Sequence, residues 1–173
     1  NDYEYWRKNK CLLITGKGQA DRATRRMVRR LNEEWELPVY VLTDADPFGW
    51  YIYSTYKAGS ISLSYESFRL ACPEAKFLGM TMTDLEKYEI PKDHLIKAND
   101  IDIKRAKELL MSDESTDQPR YPWFHNSKRW RQEIKLFLNR RVKAEIESKS
   151  SKGFRFLSDV YLPEKISAKD WIE

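Results

Sequence analysis

What this chain lacks narrows the field first. Its 173 residues hold two cysteines, Cys11 and Cys72, with no shared motif spacing; they support no disulfide framework, and two reduced, partly buried thiols are the expected state. The two histidines, His94 and His125, have no cysteine or second histidine at metal-ligand spacing, so a zinc site is not expected. No apolar run approaches the roughly 20 residues needed to cross a bilayer, and no secretory leader opens the chain, so a soluble protein with no membrane partner is expected. Neither sign of charge dominates. With 31 Lys and Arg against 27 Asp and Glu, the formal net charge of +4 permits a nucleic-acid partner without demanding one. The loop Gly16-Lys17-Gly18 lacks both the third glycine of the dinucleotide fingerprint and the Gly-Lys-Ser/Thr ending of a P-loop, which excludes both motifs. The chain opens on Asn rather than Met, so it is expected to be part of something longer.

What is present is enough apolar and aromatic material for a folded core, in a length that suits one domain with an appendage. The organising stretch is 39–50 (VYVLTDADPFGW). Residues 39–43 show no polar alternation and read as a buried parallel strand. Asp44 and Asp46 follow at its carboxyl end, two apart, so continued extended geometry sends both side chains to one face, where they can share a hard cation. Pro47 stops the strand and starts a helix over 48–57. The acids therefore occupy a strand-to-helix loop, where open α/β sheets bind their ligands. The competing reading is turn and N-cap chemistry, in which short acids satisfy orphan backbone N–H groups.

Upstream, 1–10 reads as the last turns of a helix, with Tyr3 and Trp6 on one face, and 11–15 (CLLIT) as a short strand. A helix over 21–35 follows. At about 100° per residue, Arg22, Arg25, Arg26, Arg29 and Arg30 share one arc, opposite Thr24, Met27, Val28, Leu31 and Trp35. Asp21, Glu33, Glu34 and Glu36 are expected to offset charge at the ends only, leaving the arginines free of i+4 partners. Such a face is either solvated or binds phosphate, which guanidinium groups grip in a bidentate way. The order strand, helix, strand, helix implies parallel crossovers.

Downstream, 60–63 alternates briefly and 75–80 reads as a further buried strand. Thr83 or Asp84 is placed to cap a turn, the simpler reading of Asp84 than a share in the acidic site. Residues 100–111 form a helix started by Asn99 or Asp100. The polar run 112–119 (SDESTDQP) reads as a mobile insertion. A long helical stretch over 123–148 has the stripe Trp130, Ile134, Phe137, Leu138, Val142 and Ile146, with Lys128, Arg129, Arg140, Arg141 and Lys143 on a solvated face. An aromatic-rich tail over 154–172 is expected to pack back on the domain.

The strings 15–26 (TGKGQADRATRR), 37–53 (LPVYVLTDADPFGWYIY) and 75–79 (AKFLG) together resemble the A-subunit family of type IIB DNA topoisomerases, which includes archaeal topoisomerase VI and the meiotic double-strand-break transesterase. The likeness continues through 102–110, 121–124, 143–146, 153–157 and 161–165, nearly the whole chain. It implies an α/β fold, a Toprim (Rossmann-like) parallel sheet flanked by helices. Residues 1–111 would be that domain without its first strand, 112–122 the insertion and 123–173 a helical C-terminal extension. It also implies Mg²⁺ held by one glutamate on the first strand and by an Asp-x-Asp pair, on which Asp44 and Asp46 fall. The glutamate belongs upstream of residue 1 and Glu4 does not replace it; the nucleophilic tyrosine belongs further upstream, and none of the tyrosines here matches it. Lys17, Arg22, Arg25, Arg26, Arg29 and Arg30 stand where the family has its basic loop and helix, for double-stranded DNA.

The resemblance further implies an A-subunit homodimer, an ATPase B subunit, and a cytoplasmic, nucleoid-associated setting if archaeal or a nuclear one if eukaryotic. The leading expectation is the metal-binding and DNA-positioning part of a topoisomerase, inert alone. Against it stand a non-catalytic DNA-binding or dimerisation module whose acids are structural, the meiotic transesterase itself, and a receiver-like or phosphatase-like protein using Asp44 as phospho-acceptor.

Overall fold

Strands β1 (Tyr40–Val41) and β2 (Lys76–Phe77) pair in parallel, Tyr40 opposite Lys76 and Val41 opposite Phe77. In the computed structural model, which describes residues 4–59, 67–153 and 155–173, the ladder outruns these short strands. Lys76 N donates to Val39 O at 2.9 Å, Leu78 N to Val41 O at 2.9 Å and Met80 N to Thr43 O at 3.0 Å. Such evenly stepped bonds are the parallel pattern, and they hold the chain in register up to the residue before Asp44. A Cβ on Gly79 would lie 2.5 Å from Thr43 O, so only glycine lets the two strand ends close. On its other edge, Phe77 exchanges backbone bonds with Ile172 (2.7 and 3.0 Å), which adds the chain's last residues antiparallel to β2.

The helices start on local chemistry. After the short α1 (Tyr5–Lys8), α2 (Arg22–Trp35) begins where the Asp21 side chain accepts from Thr24 N at 2.7 Å, and ends where Glu36 turns left-handed. Helix α3 (Pro47–Ala58) has Asp46 as N-cap, Pro47 in its first turn and Gly59 at φ 91° beyond its end. After α4 (Ser67–Leu70) and β2, α5 (Met82–Lys87) and α6 (Asp100–Leu109) each open with a reciprocal capping box, Thr81 with Asp84 and Asn99 with Asp102.

Two expectations need correction. Residues 11–15 are not a strand: Leu12 and Leu13 are exposed, and among the described residues the segment's one backbone bond runs from Cys11 N to Trp6 O in the turn behind it, with no partner strand to make a ladder. The long helix over 123–148 is broken into α7 (Pro122–Asn126) and α8 (Lys128–Arg140); Ser127 caps the second, and Arg141, left-handed at φ 53°, ends it. Val142–Lys143 is instead strand β4, antiparallel to β3 (Ile96–Lys97). Val142 and Ile146 keep helical spacing across a break caused by pairing with a distant segment, so periodicity could not show it. The polar run 112–119 closes on itself: Asp113 N donates to Gln118 O (2.8 Å), Arg120 N to Met111 O (3.0 Å), and Ser112 bridges to Pro119. The expected stretch 60–63, Tyr3 and Phe154 lie outside the described residues.

The core is aromatic. Trp130 of α8 meets Trp50 and Tyr53 of α3, Phe77 of β2 and Phe124 of α7 at centroid distances of 4.8 to 5.9 Å. These five side chains are essentially inaccessible to solvent, so α3 and α8 share one interior with the parallel pair. The segment ending in α9 (Leu162–Ser167) is fastened by polar contacts. Lys165 Nζ donates to Asp84 Oδ2 at 2.9 Å, and the Tyr161 hydroxyl lies 2.9 Å from both Asp84 Oδ2 and Gly79 O.

Candidate metal centre

The acidic loop is held from both sides. Ala45, fully buried between the two acids, donates to Ala144 O at 2.9 Å, and Ala144 N donates back at 3.4 Å, an antiparallel bridge. Asp46 is extended (φ −149°, ψ 162°). Since neighbours along extended backbone face opposite ways, Ala45 turned inward puts Asp44 and Asp46 together on the outer face. Gly49 makes the loop tight: a Cβ there would lie 2.8 Å from Asp44 O.

Each acid spends one oxygen locally. Asp44 Oδ1 accepts from Ile146 N at 2.8 Å, and Asp46 Oδ1 accepts from Gly49 N at 2.6 Å. The second oxygen of each has no protein partner among the described residues. The capping reading and the metal reading thus describe different oxygens of the same carboxylates. Burial is the largest influence on both groups and raises their pKa, opposed by the amide each accepts from; Glu147 adds to the rise at Asp44, and the Asp44 charge adds to it at Asp46. Two half-buried carboxylates, each made harder to ionise by burial and by a neighbouring acid, make a field that a cation relieves.

That donor set fits a small hard cation. Mg²⁺ takes one or two carboxylates and keeps several waters, so two uncommitted oxygens on one face suit it better than a softer metal. No group of three or more His, Cys, Asp or Glu side chains converges as a cage among the described residues. Asp84 lies outside the site, in its capping box and ion pair.

Sequence reasoning missed two neighbours. Lys143, taken for a solvated cation, lies 3.1 Å from Asp102 Oδ1 and is close enough to lower the pKa of both Asp44 and Asp46. Asp102 is buried, its other oxygen accepting from Asn99 N at 2.9 Å. The Asn99-x-x-Asp102 capping box was readable in the sequence, but the register that brings Lys143 alongside was not.

The basic helix needs correction too. Arg25 is not on the exposed arc: only 4% exposed, it packs inward with Val28. Arg29 and Arg30 are paired at i+4 after all, with Glu33 (2.5 Å) and Glu34 (2.7 Å). Arg22 and Arg26 are exposed, as is Lys17, left-handed at φ 51° in the loop before the helix. Arg22, Arg26 and Arg30 line an open groove of about 740 Å³ with Arg69, Met27 and Trp35.

Comparison with known proteins adds an independent line. Residues 1–166 match the family of the Toprim domain shared by Spo11 and the topoisomerase 6 A subunit. Over 98% of its length the chain is 56% identical to the type 2 DNA topoisomerase 6 A subunit of Aeropyrum pernix and 55% identical to that of Hyperthermus butylicus. Over 97% it is 39% identical to the DNA topoisomerase 6 A subunit of Arabidopsis thaliana. The chain spans 43% of the length of the two archaeal relatives and 37% of the plant one.

Proposed function

Because the chain belongs to the Toprim-domain family of Spo11 and the topoisomerase 6 A subunit, we propose that it is the metal-binding and duplex-positioning part of the A subunit of a type II DNA topoisomerase. The observation that carries this reading is the pair of uncommitted oxygens on Asp44 and Asp46 at the carboxyl end of β1. These two side chains would hold Mg²⁺, with further ligands from water and from sequence outside this chain. When bound, the ion offsets the negative charge that grows on a phosphodiester during transesterification. This chain's residues supply the frame. The Ala45–Ala144 bridge and the Gly49 contact fix the two carboxylates, and Lys17, Arg22, Arg26 and Arg30 offer cations to duplex phosphates without reading sequence. The nucleophilic tyrosine is assigned to sequence outside this chain, so the chain alone is inactive. Cutting both strands of a duplex calls for a homodimer, and strand passage for an ATPase B subunit.

A second reading, a non-catalytic DNA-binding or dimerisation module, draws on the local bonds the acids make to Ile146 and Gly49. Titration with Mg²⁺, followed by calorimetry or backbone amide shifts, separates the two. A saturable response lost in both Asp44→Asn and Asp46→Asn is the expected result; no response at millimolar Mg²⁺ would favour the second reading.

A further inference from the structure

We propose that Lys143 is a positioning residue of the acidic site, a resident cation that shares the field of Asp44 and Asp46 and keeps their hold on a divalent ion weak and exchangeable. The inference rests on the metal reading above and goes beyond it in assigning a residue outside the Asp-x-Asp pair. Register carries it first. Ala45 and Ala144 exchange both backbone bonds, so across this antiparallel bridge Lys143 stands opposite Asp46. Positions flanking such a bonded pair are those where facing side chains approach most closely. With Ala45 and Ala144 both buried, Lys143 emerges on the face that carries the two acids.

The ammonium is also tethered. Lys143 Nζ lies 3.1 Å from both Asp102 oxygens, donating to Oδ1, and Oδ2 also accepts from Asn99 N. Asp102 is 1% exposed with both oxygens engaged, so it serves as an anchor for Lys143 rather than as a ligand. The pairing of β4 with β3 fixes the backbone on which the lysine stands, Lys143 opposite Ile96. The side chain is therefore placed from three directions, by β3, by the bridge to Ala45 and by Asp102. A lysine that only decorated the surface would need none of them. The sign of its effect follows from charge alone: a fixed positive group near two carboxylates steadies them without an ion and repels an incoming dication.

Divalent binding to the native chain, Lys143→Met, Lys143→Gln and Lys143→Arg tests this, read by Mg²⁺ and Mn²⁺ calorimetry with circular dichroism as the check on folding. Removing the charge is expected to tighten binding by about three- to tenfold, the order expected for one unit charge at partly screened range, and Lys143→Arg is expected to bind as the native chain does. A merely structural lysine would give the opposite sign, since loosening the loop weakens binding. If the native chain binds in a way that needs Asp44 and Asp46 and neither neutral variant binds more tightly, the inference falls and the metal reading stands. If no variant binds and the native chain does not, both fall together.

Discussion

Asp46 divides its carboxylate between two tasks, one oxygen capping α3 through Gly49 N and the other left uncommitted, and Asp44 does the same with Ile146 N. An Asn side chain keeps the capping oxygen and gives up the charge. Because burial raises both acids' pKa in the folded chain, ionising them costs stability: their contribution is intact below the ordinary carboxylate range and is lost as pH rises through the raised values. In metal-free buffer at neutral pH, Asp44→Asn and Asp46→Asn should therefore melt at a higher temperature than the native chain, and the difference should vanish in acid. Asp84 behaves in the opposite way. Burial opposes its charge, but Lys165 and the Thr81 bonds outweigh that and lower its pKa, so its contribution is present above the ordinary range and lost as pH falls through the folded value. Lys165→Met leaves that carboxylate buried with no cation of its own, and should cost about 3–5 kcal/mol in denaturant unfolding. Asp44, Asp46 and the cap at Asp84 were legible in the sequence because their geometry is set within a few residues. Lys143 was not, because its partners are brought together only by the fold.

At the scale of elements, α2 shows what pattern can and cannot give. Its extent, 21–35, was legible from the spacing of its arginines and apolar residues, but its rotation was legible only in part. The sequence places Thr24, Met27, Val28, Leu31 and Trp35 inward; Val28 is buried and Leu31 partly so, but Arg25 is buried as well while Met27 and Trp35 are exposed, with Asn32 held by the Cys72 thiol (3.3 Å) and by Leu37 O (3.0 Å). Those two polar contacts of Asn32 accompany this facing, and Trp35 is left 71% exposed. The helix therefore separates two kinds of arginine. Replacing Arg22 and Arg26 together by Ala should weaken duplex binding irrespective of sequence and reduce the salt slope by about 2, read by anisotropy at several ionic strengths. Arg25→Ala should act on stability instead, seen as a lower melting temperature. Equal salt slopes for the double variant and the native chain would mean that the outer face is only solvated. The same limit governed 123–148, where the spacing of apolar residues ran unbroken through a cap at Ser127 and a strand at Val142.

At the scale of the whole molecule, one aromatic interior joins the acidic loop to the C-terminal half. Trp130 sits among Trp50, Tyr53, Phe77 and Phe124, so α8 is part of the core on which α3 and the loop before it rest. Trp130→Ala should cost about 3–5 kcal/mol by the cavity it leaves, measured by chemical unfolding, and should loosen the loop that carries Asp44 and Asp46. The parallel pair at the centre was readable from two uninterrupted apolar runs; the antiparallel seams at Ala144 and Ile172, which hold the halves together, join segments far apart in the chain and left no local trace. The central claim is that the two acids reserve an oxygen each for a divalent ion. Crystals soaked in Mn²⁺ test it most directly: the account predicts an anomalous difference peak about 2.1 Å from the second oxygens of Asp44 and Asp46, absent in the paired Asn variant. Density showing those oxygens bonded to protein groups, with no peak between them, would contradict it.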